Sequence, residues 1–326
     1  MNNITIGQYV PGNSWIYKMD PRTKILLTIL LIATIFVIPT LEVMVLALGI
    51  FIIIFLSTRV SFIRVIRGLR GVVFLLVFTF VLQLIYNKEG EILYTFGMQI
   101  GLFNLLIIVG ILLFYFLTKK FIKFKMIYTF LMLGGVFTVL WLVKFNVFVW
   151  KDFNFDVYDT GLKNASFIFI RIFMMIGITS LLTVSTMSTD INNGLEWVMT
   201  PLKVIKVPVS VLAMTISLTL RFIPTLFEET KKIMNAQASR GVDFNEGKLK
   251  DKVTQVISLL VPMFVVSFKR AEDLSNAMEA RGYVIGSKRT RIDELKFKAL
   301  DYVSFVLALL MLAGAIVMKV MLWDIS

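Results

Sequence analysis

The sequence predicts an all-α integral membrane protein, a helical transmembrane bundle with two long helical arms on its cytoplasmic side. Three observations predict it. Of the 326 residues 58% are hydrophobic, with a mean hydropathy of +0.84, which is more apolar surface than a soluble domain of ordinary composition buries. Several apolar runs approach or exceed the ~20 residues with which a helix crosses a bilayer. Between Arg221 and Lys298, by contrast, stand 15 basic and 10 acidic residues, a charge density that lipid does not tolerate.

The bulk numbers also exclude function classes. Histidine and cysteine are both absent, which removes disulfide frameworks, thiol nucleophiles, the commonest general base and the usual zinc ligands together. A formal charge of +13 reads in such a chain as cytoplasmic loops under the positive-inside rule, with no nucleic-acid partner implied. The opening MNNITIGQYVPGNSWIYKMD is polar and turn-rich, unlike a cleavable signal peptide.

In chain order, Asp20-Pro21-Arg22 reads as a helix start, with aspartate as N-cap and proline at the first helical position, in preference to a catalytic acid beside a phosphate-binding arginine. Spanning helices follow at about 24–39, 41–56, 71–86, 100–117, 126–144 and 165–187, with a seventh at about 299–322. Arg59, Arg64, Arg67 and Arg70 put the 57–71 loop in the cytoplasm, as Lys119, Lys120, Lys123 and Lys125 do for 118–125; Gly68 and Gly71 fit a loop or a helix end. The 86–99 and 144–163 loops lack that bias and face outward. The N terminus is therefore cytoplasmic and the protein a multi-pass resident of the cell membrane. Arg171 lies in an apolar run, roughly 9 Å of helical rise from its outer end, within snorkelling reach of the headgroups. Asp190, with Ser188 and Thr189, reads as a cap opening the amphipathic INNGLEWVMTPLKVIK, whose Leu195, Val198, Met199 and Leu202 suit an interfacial helix or a partner groove. The chain thus divides into a bundle at 1–187, a cytoplasmic module at 188–298 and a last spanning helix at 299–326.

The cytoplasmic module contains a repeat. NAQASRG at 235–241 returns as NAMEARG at 276–282, an offset of 41 residues. Each copy ends a long helical pattern holding one proline, Pro224 in the first and Pro262 in the second, where a kink is expected. Glu228–Lys232 and Lys269–Asp273 stand four apart on the exposed faces, the first in the favourable order. The apolar stretch between Pro208 and Pro224 would rise only about 24 Å as a helix, short of a ~30 Å hydrocarbon core, and so lies along or just inside the inner leaflet. Glycine after arginine has an ordinary explanation: glycine accepts the positive φ past a helix end, and arginine complements the carbonyl end of the dipole. Two copies, each with small residues before it (Ala238 and Ser239; Ala277 and Ala280), point further, to helix ends that enter sockets on other proteins and offer a forked donor to a carboxylate.

At these residues the sequence resembles the transmembrane T component of energy-coupling factor (ECF) transporters, the family that includes the cobalt- and biotin-transporter membrane subunits. GQYVPGNSWIYKMDPRTKIL is similar to that family's opening signature. RIFMMIGITSLLTVSTMSTDINNGLEWVMTPLKVIKVP, LRFIPTLFEE and VPMFVVSFKRAEDLSNAMEARGY follow in the family's order. The resemblance implies a non-catalytic, bacterial import subunit whose arms are coupling helices, holding a substrate-binding membrane S component for vitamins or transition-metal ions against two cytoplasmic ABC-type ATPases. Ala238, Ser239, Arg240 and Gly241 would engage one ATPase, and Ala280, Arg281 and Gly282 the other. ATP and Mg would be bound by those partners and no cofactor by this chain, which contains no Gly-x-x-x-x-Gly-Lys-Ser/Thr loop. The sequence departs from the family at Tyr17, where histidine is frequent, at Met19, and in the length of residues 87–164, which either contact an unusual S component or add lipid-facing bulk.

Three other functions compete. A self-contained secondary transporter needs ionisable groups near the bilayer midplane, and these are nearly missing. A membrane enzyme acting on lipids needs clustered acids or histidine, and the close pair Glu228-Glu229 is neutralised by Lys231 and Lys232 on this reading. An assembly scaffold without transport is the third.

Overall fold

Helices make up most of the chain in the computed structural model, which describes residues 9–60, 62–119, 125–143, 149–242, 249–284 and 295–323. In order they are α1 (Trp15–Lys18), α2 (Pro21–Val37), α3 (Leu41–Ser57), α4 (Phe62–Tyr86), α5 (Leu102–Thr118), α6 (Lys125–Leu142), α7 (Asp159–Ser185), α8 (Ser188–Val198), α9 (Val209–Ser239), α10 (Leu249–Ala280) and α11 (Ala299–Trp323), with a 3-10 segment at Thr200–Ile205. Two strands, β1 (Ile92–Gly101) and β2 (Val149–Tyr158), form an antiparallel pair. Gly7, Lys120, Lys123 and Lys144, which carried parts of the sequence reading, lie outside the described residues.

Each of the seven expected spans is a helix. By length and apolarity four helices suffice to cross a bilayer among the described residues: α7, α9, α10 and α11. The 17-residue α3 and α5 are shorter, rising roughly 26 Å against a ~30 Å core, a mismatch that bilayers absorb by thinning. Length and composition therefore do not set α9 and α10, expected on the cytoplasmic side, apart from spanning helices. The 57–71 loop is corrected: α4 begins at Phe62, so Arg64, Arg67, Arg70, Gly68 and Gly71 are helical. Their arginine spacing is as compatible with helix as with loop.

By packing the chain forms two units, Met1–Leu31 with Thr179–Leu312, and Ile32–Ile178 with Ala313–Ser326. In the second, α3 and α7 approach closely because Gly177 leaves room for the Phe51 ring, which a Cβ there would meet at 2.6 Å. Segments expected as outward loops supply the sheet, with Phe96 opposite Phe155 and Thr95 opposite Asp156. Phe96 also stands edge-on to Phe137 and Trp141 of α6 at 5.7 and 5.4 Å, seating the sheet on the α5–α6 hairpin. Leu106, Leu113, Phe114, Phe116 and Leu117 of α5 are exposed, the pattern of a helix that faces lipid. Arg171 Nη2 donates to the Ile38 carbonyl at 3.3 Å, and its guanidinium lies 4.3 Å from the Phe167 ring centre. The Ile38 carbonyl just past α2 and the Phe167 ring of α7 thus engage a cation expected to reach for headgroups.

In the first unit, helix starts gather around buried polar groups. Asp20 caps α2 as its sequence predicts, its Oδ1 accepting Arg22 N–H at 2.8 Å. Asp301, only 2% exposed in the first turn of α11, accepts the N–H groups of Asp20 at 3.0 Å and Lys298 at 2.7 Å. Lys24, 6% exposed, donates to the Ser185 carbonyl at 3.1 Å and Thr186 Oγ1 at 3.3 Å, and Asp190, Asp301 and Asp20 all act on its charge. Asp190 is not the cap of α8. Met187 holds that position and Asp190 lies inside the first turn, where a carboxylate still favours the helix dipole.

Candidate functional site

The repeated phrases close two long helices, α9 of 31 residues and α10 of 32. Both run without interruption through their proline, Pro224 in α9 and Pro262 in α10. Both end in the same way. At the first tip Gly241 N–H bonds to the Ala238 carbonyl at 3.0 Å and Val242 N–H to Gln237 at 3.1 Å. At the second, Gly282 N–H bonds to Glu279 at 2.9 Å and Tyr283 N–H to Met278 at 3.0 Å. These are two Schellman motifs, each requiring a left-handed residue just past the helix, and the two glycines supply it with φ of +93° and +72°.

The ordinary explanation for Arg-Gly thus holds at both copies, and it also fixes what the tips present. Arg240 is the C-cap residue, with φ −86° and ψ 5°, and Arg281 occupies the same place in the second motif. Both arginines are exposed, as are Ala238, Ser239 and Ala280. Among the described residues neither guanidinium has a side-chain partner, and no atom stands within 4 Å of where a Cβ on either glycine would be. Each tip is therefore a forked cation on a helix end shorn of bulk, fit to enter a groove that supplies a carboxylate. No group of three or more metal-ligating side chains occurs among the described residues.

The sequence did not reveal what joins the arms. Glu229 Oε1 of α9 forms an ion pair with Arg270 Nη2 of α10. Lys231 and Lys232 are not its partners, and neither Glu228–Lys232 nor Lys269–Asp273 closes to ion-pair distance among the described residues. Arg270 also lies 5.9 Å from the Phe222 ring centre, and Thr230 Oγ1 contacts Met263 Sδ at 3.2 Å. The repeat offset of 41 was the available signal, because it makes Glu229 and Arg270 equivalent positions.

The family model described as cobalt transport protein matches residues 97–292, which include both arms and both tips. The energy-coupling factor transporter transmembrane protein EcfT of Bacillus subtilis (strain 168) is 36% identical over 315 residues, covering 96% of this chain and 97% of that protein. The chain belongs to the transmembrane-protein family of energy-coupling factor transporters. Other members are similar to a slightly lower degree: the EcfT protein of Clostridium kluyveri is 34% identical over 321 residues, 98% of each chain, and that of Exiguobacterium sibiricum 32% over 301 residues, 91% of each. Membership makes this chain a bacterial membrane protein with the energy-coupling role, and the self-contained secondary transporter is not favoured.

Proposed function

We propose that this ECF transmembrane protein transmits the motions of two cytoplasmic ABC-type ATPases to a membrane S component that binds a vitamin or a transition-metal ion. The observation that carries the reading is the duplicated tip: two exposed arginines, each at the end of a helix closed by a glycine Schellman motif. Two equivalent prongs suit a pair of similar motor subunits, Arg240 with Ala238, Ser239 and Gly241 serving one and Arg281 with Ala280 and Gly282 the other. ATP and Mg belong to those motors, and this chain supplies position and charge.

The arms lie on the cytoplasmic side in this reading, together with the N terminus. Although α9 and α10 are apolar enough to span, a crossing by either would carry part of a segment with 15 basic residues to the outer face or into the hydrocarbon, against the positive-inside rule. The division at 188–298 follows from that placement.

Gentle detergent purification tests the assembly: two nucleotide-binding subunits and one small membrane protein co-purify. Arg240→Glu with Arg281→Glu then abolishes ATP-driven uptake of the substrate bound by that small protein. Full uptake in the double variant overturns the reading.

A further inference from the structure

The two arms meet at equivalent points. Glu229 and Arg270 each stand six residues before the asparagine that opens the repeated phrase, and each stands 11 residues before the arginine that ends its helix. From the ion pair to either tip the helical rise is therefore the same, about 16 Å. The polar and cation–π contacts around the pair run in opposite order on the two helices, Phe222 with Arg270 and Thr230 with Met263. The arms thus cross in opposed directions about this pair.

We propose that the Glu229–Arg270 ion pair is a positioning device that sets the separation and register of the two tips, an inference that rests on the coupling role given above. Its placement suits the task. Both side chains are partly withdrawn from water, at 32% exposure for Arg270 and 25% for Glu229. Glu229 Oε2 is buried without a hydrogen-bond partner among the described residues, so Arg270 is the group that compensates this carboxylate. Removing one member leaves the other's charge poorly solvated and uncompensated, which is far less favourable than keeping or removing both. Reversing one member sets like charges against each other at the crossing. Lys231 and Lys232 cannot substitute, being outside ion-pair distance of either glutamate.

The absence of native cysteine makes the test direct. Nitroxide labels on Asn235→Cys and Asn276→Cys, equivalent positions near the two tips, report their separation by pulsed electron resonance in the full complex and in the purified chain. With the native pair the distance distribution is single and narrow. Glu229→Arg and Arg270→Glu broaden or shift it, as does the isosteric Glu229→Gln, which keeps the fold intact. The exchange Glu229→Arg with Arg270→Glu restores it. ATP hydrolysis by the complex, read in parallel, shifts roughly tenfold in the single variants and returns in the exchange. An unchanged distribution in the single variants, or an exchange that restores neither readout, overturns the proposal. The coupling role fails separately, if no nucleotide-binding subunit accompanies the native chain; the distances in the purified chain then still decide the role of the pair.

Discussion

Asp301 accepts the backbone N–H of Asp20 at 3.0 Å, joining the start of α11 to the start of α2 across 281 residues of sequence. The same carboxylate holds Lys298 N–H at 2.7 Å, and Asp301 is almost wholly buried. It fastens the last helix to the start of α2. Replacing Asp301 with Ala strands two N–H donors and one nearby ammonium, at a cost of about 1–3 kcal/mol for a lost buried bond. The expected result is a lower unfolding temperature of the detergent-purified chain, with Asp301→Asn falling between the two.

Gly241 and Gly282 are required by conformation and not by crowding, since nothing lies within 4 Å of an added Cβ at either. Alanine at each therefore costs about 1–2 kcal/mol of left-handed strain, and asparagine costs less because its side chain tolerates that region. Helix-end fraying measured by amide exchange follows the order Gly, Asn, Ala. Uptake lost equally with Asn and Ala would show that the sockets exclude any side chain there.

On the proposed reading, Arg240 and Arg281 serve docking and not stability. Both are exposed and without a side-chain partner among the described residues, so Arg240→Ala and Arg281→Ala shift stability by no more than about 0.5 kcal/mol. Co-purification of the nucleotide-binding subunits weakens with either change and fails with both. Unfolding temperatures and subunit yields, measured on the same preparations, check the two halves of this statement.

The side of the membrane on which the arms lie is open to labelling. Ala238→Cys is the sole thiol in such a chain. A membrane-impermeant maleimide leaves it unmodified in intact cells and modifies it after the inner face is exposed. Labelling from outside would move α9 across the bilayer.

Phe96 joins β1 to both β2 and α6. Truncation to Ala removes four ring contacts, with Tyr94, Phe137, Trp141 and Phe155, from a half-buried site and costs about 1–3 kcal/mol. The effect is expected in proteolysis of the 92–158 region, with the arms unaffected.

The membrane class, the helices at the seven expected spans and the caps at Asp20, Gly241 and Gly282 were legible in the sequence because each depends on composition or on residues within one turn. The strands were legible too and were missed. Tyr94, Phe96, Met98 and Ile100 alternate with Thr95, Gly97 and Gln99, and Phe153, Phe155 and Val157 with Asp152, Asn154 and Asp156, the period of a strand; weighing these segments only as charged loops hid it. Arg64, Arg67 and Arg70 were assigned to a loop for the same reason, although charge says nothing about backbone conformation.

By itself the sequence determined that this chain lives in a membrane, that its arms are helical and that each arm ends in arginine and glycine, because hydropathy and helix termination act over short stretches. Only the tertiary structure decided which distant groups meet: Asp301 with Asp20, β1 with β2, and Glu229 with Arg270 in place of its neighbours Lys231 and Lys232. The reason is that a charge or a strand edge selects its partner by proximity in space, and proximity is a product of how the helices cross.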